Sequence, residues 1–224
     1  QRWLKLVDSL KESDAIIVTT YLNHDKIKIG IIPKKSSDFE YSKDKNYKVL
    51  QLQNVKELNS SEHPIFYYLI PAQTTLSALK HRTNFIFSKY RGELLKLELQ
   101  NLSPIATEII CTEWLRSKLA PTDYQIKFQL LKTGGNLPHI DIYGITESGH
   151  EVIAQVTTAT NEKTILHKIS RLKNVKADIK LIFCERKLPA INYPYDDVKI
   201  INLEKVFEDL LKNGYEKMLE KLIN

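Results

Sequence analysis

The run Pro138-His139-Ile140-Asp141-Ile142-Tyr143-Gly144-Ile145-Thr146, then Glu147-Ser148-Gly149, then His150-Glu151-Val152-Ile153-Ala154-Gln155-Val156-Thr157, decides how the second half of the chain folds. Two stretches rich in β-branched residues flank a short polar turn, which is the pattern of a β-hairpin. A three-residue loop ending in Gly149 is a common form, because glycine takes the left-handed backbone without a Cβ penalty. That loop pairs Thr146 with His150, and hence Asp141 with Gln155. Side chains alternate across a strand, so Ile140, Ile142, Ala154 and Val156 share one face. Asp141, Gln155 and Thr157 share the other. A carboxylate opposite an amide oxygen offers two oxygen donors to one hard cation. A two-residue loop at Ser148-Gly149 would shift the register by one residue and separate the pair.

Around this hairpin, Ser103 and Pro104 supply an N-cap and a first helical residue for a helix through Ile105, Ile109, Leu115 and Leu119, ended by Pro121. Strands are expected over 124–131, 139–145 and 151–158, with a Gly134-Gly135 turn. A helix follows from Asn161 to about Val175, its apolar positions Ile165, Ile169 and Leu172 repeating at four and three. Asp178–Glu185 reads as a buried strand and Val198–Asn202 as a shorter one. A single amphipathic helix over Leu203 to Ile223 closes the chain. Its apolar stripe is Leu203, Phe207, Leu210, Leu211 and Leu219.

This α-β-β-β-α-β order resembles the restriction-endonuclease-like PD-(D/E)xK nuclease fold, above all its Mrr-type branch, over about residues 103–202. The resemblance rests on Glu108 of the first helix, Asp141 just after Leu137-Pro138, and the Gln155-Val156-Thr157 tail. It implies a Mg²⁺-dependent deoxyribonuclease that hydrolyses phosphodiesters, with Asp141 and Gln155 as metal ligands and Glu108 as an auxiliary acid. Such nucleases carry a lysine where this chain has Thr157, which brings no positive charge to the reacting phosphate. Lys163, on the first turn of the following helix, is the expected substitute, and Lys168 the second choice. The alternative is a degenerate nuclease fold that serves as a nucleic-acid-binding or protein-interaction module.

The first 92 residues differ in character. The chain has 224 residues and a net charge of +6, from 33 Lys and Arg against 27 Asp and Glu. Residues 1–92 hold 15 of those cations and 9 of the acids, so the whole excess lies there and residues 93–224 are balanced. They also hold 11 of the 20 aromatics. Lysines for phosphates and aromatic faces for bases are what a nucleic-acid reader requires.

Residues 1–12 read as a short helix with Leu4, Val7 and Leu10. Ala15–Leu22 and Lys26–Ile32 read as a hairpin around Asn23-His24-Asp25. A long polar loop is expected over Lys34–Lys48. Strands are expected over 49–58 and 64–70, a short helix over 74–79, and a closing strand over Asn84–Phe87. The strand pair, with Gly30 in its second member, is similar to the opening of the PUA-like/EVE group of modified-base and RNA readers. The expected fold class is therefore α/β (α+β overall), with a small β-barrel-like domain over 1–92 and an αβββαβ nuclease-like domain over 93–224. Nucleic-acid contacts are expected from Lys34, Lys35, Tyr41, Lys43, Lys45 and Tyr47 in the first domain and from Lys168 and Arg171 in the second. Together these point to a restriction or defence-type protein that binds DNA, modified or not, ahead of RNA, as a monomer or homodimer.

No apolar run reaches the roughly 18 residues of a membrane span. Two cysteines, Cys111 and Cys184, are too few for a disulfide framework. A reduced, cytoplasmic protein is expected. The six histidines show no zinc spacing with the cysteines. No G-x-G-x-x-G, Walker or G-x-S-x-G pattern occurs, which excludes the common dinucleotide, NTPase and α/β-hydrolase readings.

Overall fold

The computed structural model describes residues 8, 10–20, 26–34, 40–42, 47–49, 51–59, 61, 83–130, 139–185 and 197–224, some of them by backbone alone. Among these the chain is mixed α/β and divides into two units, Gln1–Lys96 with Asn224, and Leu97–Ile223. No described helix is long and apolar enough to cross a membrane.

In the first unit, β1 (Ala15–Thr20), β2 (Lys26–Ile32) and β5 (Gln53–Asn59) form an antiparallel sheet in the order β1-β2-β5. Ile27 and Ile29 of β2 alternate inward and are fully buried against Phe85 and Ile86. Those two residues lie on helix α1 (Thr83–Arg91), not on a closing strand. A three-residue apolar run fits either state. Here Phe85, Ile86, Lys89 and half-buried Tyr90 follow one helical face, while Phe87 is 40% exposed beside Arg91. No closed barrel occurs among the described residues.

The expected long loop also contains structure. β3 (Glu40–Ser42) and β4 (Tyr47–Val49) pair antiparallel, with Tyr41 opposite Lys48 and Ser42 opposite Tyr47. The expected elements at 64–70 and 74–79, the turn at 23–25, most of the first helix and the Gly134-Gly135 turn lie outside the described residues.

The second unit is built on a five-stranded sheet. Its order is β10-β9-β8-β7-β6, from β6 (Ile126–Gln129), β7 (Ile142–Thr146), β8 (Glu151–Thr157), β9 (Ile179–Cys184) and β10 (Val198–Asn202). β6, β7 and β8 run antiparallel, while β8, β9 and β10 are parallel. Thr146 N–H donates to the His150 carbonyl at 3.0 Å, and Ile142 pairs with Ala154. The loop is therefore Glu147-Ser148-Gly149, with Gly149 at φ +88°. β8 is covered on both sides, which explains why Val152 through Thr157 are all buried.

One cover is α3 (Glu162–Lys173), the crossover between the parallel strands β8 and β9. Asn161 caps it by accepting the Lys163 N–H at 2.9 Å. Its Ile165, Ile169 and Leu172 pack with Ile153, Ile182, Cys184 and Val198. Ile140 joins this group and not the expected face of Ile142, because the alternation breaks between them. β7 begins only at Ile142, and the Asp141 N–H bonds to the carbonyl of Ala154, the partner of Ile142, so the expected pairing of Asp141 with Gln155 does not form.

α2 (Pro104–Arg116) also contacts β8, and packs against α4 (Leu203–Lys212) and α5 (Glu216–Ile223) as well. Lying between the sheet and those helices, it buries Ala106, Thr107, Ile110, Cys111, Thr112, Trp114 and Leu115, a wider face than the expected stripe. Trp114 meets Phe183 edge to face and donates its indole N–H to Asp209 at 3.1 Å. α2 ends at Arg116, before Pro121, with the Ser117 hydroxyl donating to the Trp114 carbonyl at 2.7 Å.

The last helix is two. Asn213 and Gly214, the glycine at φ +88°, end α4 before α5 begins. Leu203, Phe207, Leu210 and Leu219 are buried, so this stripe is core.

Candidate functional site

The site forms at the C-terminal end of β8, where the starts of α2 and β7 and one flank of α3 meet it. Pro104, Thr107, Glu108, Asp141, Gln155, Val156, Thr157, Thr158 and Lys168 line a cleft of about 250 Å³. Three elements far apart in sequence thus bring Glu108, Asp141 and Gln155 to one place.

Each is held by local structure. Ser103 caps α2 by accepting the Ala106 N–H at 3.0 Å, which fixes the turn that carries Thr107 and Glu108. The Thr107 hydroxyl donates back to the Ser103 carbonyl at 2.9 Å. Asp141 sits one residue before β7. Its N–H donates to the Ala154 carbonyl at 2.9 Å, and its carboxylate accepts the Val156 N–H at 2.8 Å. The acid is therefore clamped to β8 on both sides of Gln155.

Gln155 is 7% exposed, and its Oε1 is buried with no hydrogen-bond partner among the described residues. A buried amide oxygen without a donor costs about 1–3 kcal/mol, so such an atom calls for a cationic or protic group that the described residues do not supply. With the oxygens of Asp141 and Glu108 in the same cleft, the donor set suits a hard divalent cation. Among the described residues no three His, Cys, Asp or Glu side chains gather to hold a metal. The set is two carboxylates and an amide.

Lys168 lines the cleft and Lys163 does not. The helix explains the difference. At about 100° per residue, Lys168 falls about 60° from buried Ile165, on the flank of the packed stripe. Lys163 falls about 160° away, and is exposed. Thr157 lines the cleft in the position of the absent lysine. It is 5% exposed, and its hydroxyl accepts the Ala159 N–H at 3.2 Å.

Cys111, one turn beyond Glu108 on α2, is a completely buried core thiol. Burial first, then the negative charges of Glu108 and Asp141, push its thiol well above the ordinary range. Both acids thus act on one buried sulfur. Helical spacing from Glu108 was the available signal of this proximity.

Of the other expected contact residues, Arg171 is exposed on α3, with its Nη1 3.2 Å from the Nδ1 of His139. Lys34 is exposed, and its backbone N–H donates to Asp14 at 2.8 Å. Tyr41 and Tyr47 lie on β3 and β4. Lys35, Lys43 and Lys45 lie outside the described residues. No family model, no curated protein and no solved structure matches this chain.

Proposed function

We propose that the cleft is the active site of a metal-dependent nuclease that hydrolyses DNA phosphodiesters. The unpartnered Oε1 of Gln155, buried beside Asp141 and Glu108, carries this reading. Asp141 and Gln155 would hold Mg²⁺, with Glu108 as the auxiliary acid. When bound, such an ion lowers the pKa of a water and withdraws charge from a phosphoryl oxygen.

The chain's own groups do the rest. Two carboxylates against one lysine make the cleft attractive to a cation and, once it is neutralised, tolerant of a phosphate. The Lys168 ammonium lies where it can offset the charge that builds on the phosphoryl oxygens, the task Thr157 lacks the charge to perform. The Val156 N–H and the Ala154 carbonyl hold Asp141 beside Gln155, so neither oxygen donor has to be reorganised as phosphate enters. The first unit, with the basic excess, would supply affinity for the DNA backbone.

Thr157 favours a second reading, in which the fold is retained as a nucleic-acid-binding module without cleavage. Incubation of plasmid DNA, modified and unmodified, with Mg²⁺ or Mn²⁺ separates the two. Cleavage by the wild type that is lost in Asp141→Asn and in EDTA supports the nuclease. Metal-independent binding with no cleavage of any substrate would leave the binding module.

A further inference from the structure

We infer that Arg171, oriented by His139, forms a phosphate-binding subsite beside the cleft, which takes a backbone phosphodiester next to the one that enters it. The inference rests on the reading of the cleft as a nucleic-acid site and adds where the neighbouring phosphate is held.

Arg171 is exposed, yet its guanidinium is directed at the ring of half-buried His139, at 3.2 Å from Nδ1. Guanidinium has donors only, so Nδ1 is the acceptor in this contact. His139 thus holds the guanidinium, and the remaining N–H groups of exposed Arg171 are donors suited to a phosphate oxygen. Neither Arg171 nor Lys168 forms an ion pair with a described carboxylate.

The placement ties this guanidinium to the cleft. Lys168 and Arg171 are three residues apart on α3, so their side chains start about 5–6 Å apart on one flank. That is close to the step between consecutive phosphates of a strand. Lys168 lines the cleft, and His139 precedes Asp141 by two residues. His139 also holds a left-handed backbone, φ +70°, which turns the chain between the subsite and the acid. A strand with one phosphate at Lys168 would meet Arg171 at the next.

Binding of a fluorescein-labelled DNA duplex to the full chain, read by anisotropy in EDTA between about 50 and 200 mM salt, tests the subsite without catalysis. Arg171→Ala should weaken binding by about tenfold and flatten the log–log salt slope by about one unit. Arg171→Gln keeps a donor for His139 but not the charge, and should flatten the slope equally. His139→Ala should weaken binding by less than Arg171→Ala, and the double variant should add little to Arg171→Ala, since His139 acts through Arg171. Lys217→Ala, on α5, should leave the slope unchanged. Wild-type binding with an unaltered slope in both Arg171 variants would overturn the subsite while the nuclease reading stands. An equal loss in Lys217→Ala would overturn it too, as a diffuse charge effect. A slope loss confined to the Arg171 variants supports the subsite even if the wild type cuts nothing. No wild-type binding at the lowest salt would overturn both.

Discussion

The carboxylate of Asp141 accepts the backbone N–H of Val156 at 2.8 Å, so the acid before β7 is tied to the strand that carries Gln155. A change at Asp141 is therefore felt as both lost charge and loosened register.

Asp141→Asn keeps an acceptor for Val156 and should cost only about 1 kcal/mol in urea denaturation. Mg²⁺ should raise the melting temperature of the wild type, because a ligand bound by the native state alone stabilises it. Asp141→Asn should show little of that rise, and cleavage should fall by about 10²-fold or more. An undiminished Mg²⁺ shift would remove Asp141 from the ligand set.

Gln155→Met keeps the volume and deletes the unpartnered oxygen. Without metal the variant should equal or exceed the wild type, by about 1 kcal/mol, because a desolvated acceptor has been removed. With Mg²⁺ the order should reverse. Urea titrations in EDTA and in Mg²⁺ check both signs, and a metal-free loss of stability would show that the oxygen has a partner after all.

Lys168→Met should lower cleavage by about 10²–10³-fold with a modest effect on DNA affinity, as expected for a charge needed chiefly in the transition state. Lys163→Met should leave the rate within about twofold, since that residue lies off the cleft on the same helix. The comparison within one helix controls for helix stability.

Cys111 gives the protein an alkaline sensitivity. Its thiol is raised by burial, Glu108 and Asp141, so above the ordinary thiol value of about 8.5 the native state binds more protons than the unfolded one. Its contribution is intact below about pH 8.5 and declines as pH rises further, with a limiting slope of about 1.4 kcal/mol per pH unit. Cys111→Ala should cost some packing at neutral pH yet lack this part of the slope. Denaturation of both proteins from about pH 7 to 10 isolates it as a difference.

The hairpin was legible because its determinants are local. Gly149 at the third loop position and period-two alternation fix the pairing of Thr146 with His150 before any other element is considered. Ser103 and Asn161 announced the starts of α2 and α3 for the same reason: each cap is a contact between near neighbours. Asn84–Phe87 was not legible, since its helix is selected by packing against Ile27 and Ile29 on a distant strand. The break at Asn213-Gly214 was visible in the sequence, but the apolar repeat on either side concealed it.

Lys163 and Lys168 show the limit most clearly. Both are cations on the helix after β8, and composition does not separate them. The choice follows from which flank of α3 turns to the cleft once Ile165, Ile169 and Leu172 are seated on the sheet. Turn chemistry and strand alternation, acting over a few residues of sequence, bring Asp141 near Gln155, although the ladder stops at Ile142 opposite Ala154 and Asp141 bonds to Ala154 and Val156 without pairing with Gln155. Only the tertiary structure decided that Glu108, Lys168 and Cys111 join them. Those positions depend on how two helices pack against the end of β8, a long-range outcome of core burial that no local pattern encodes.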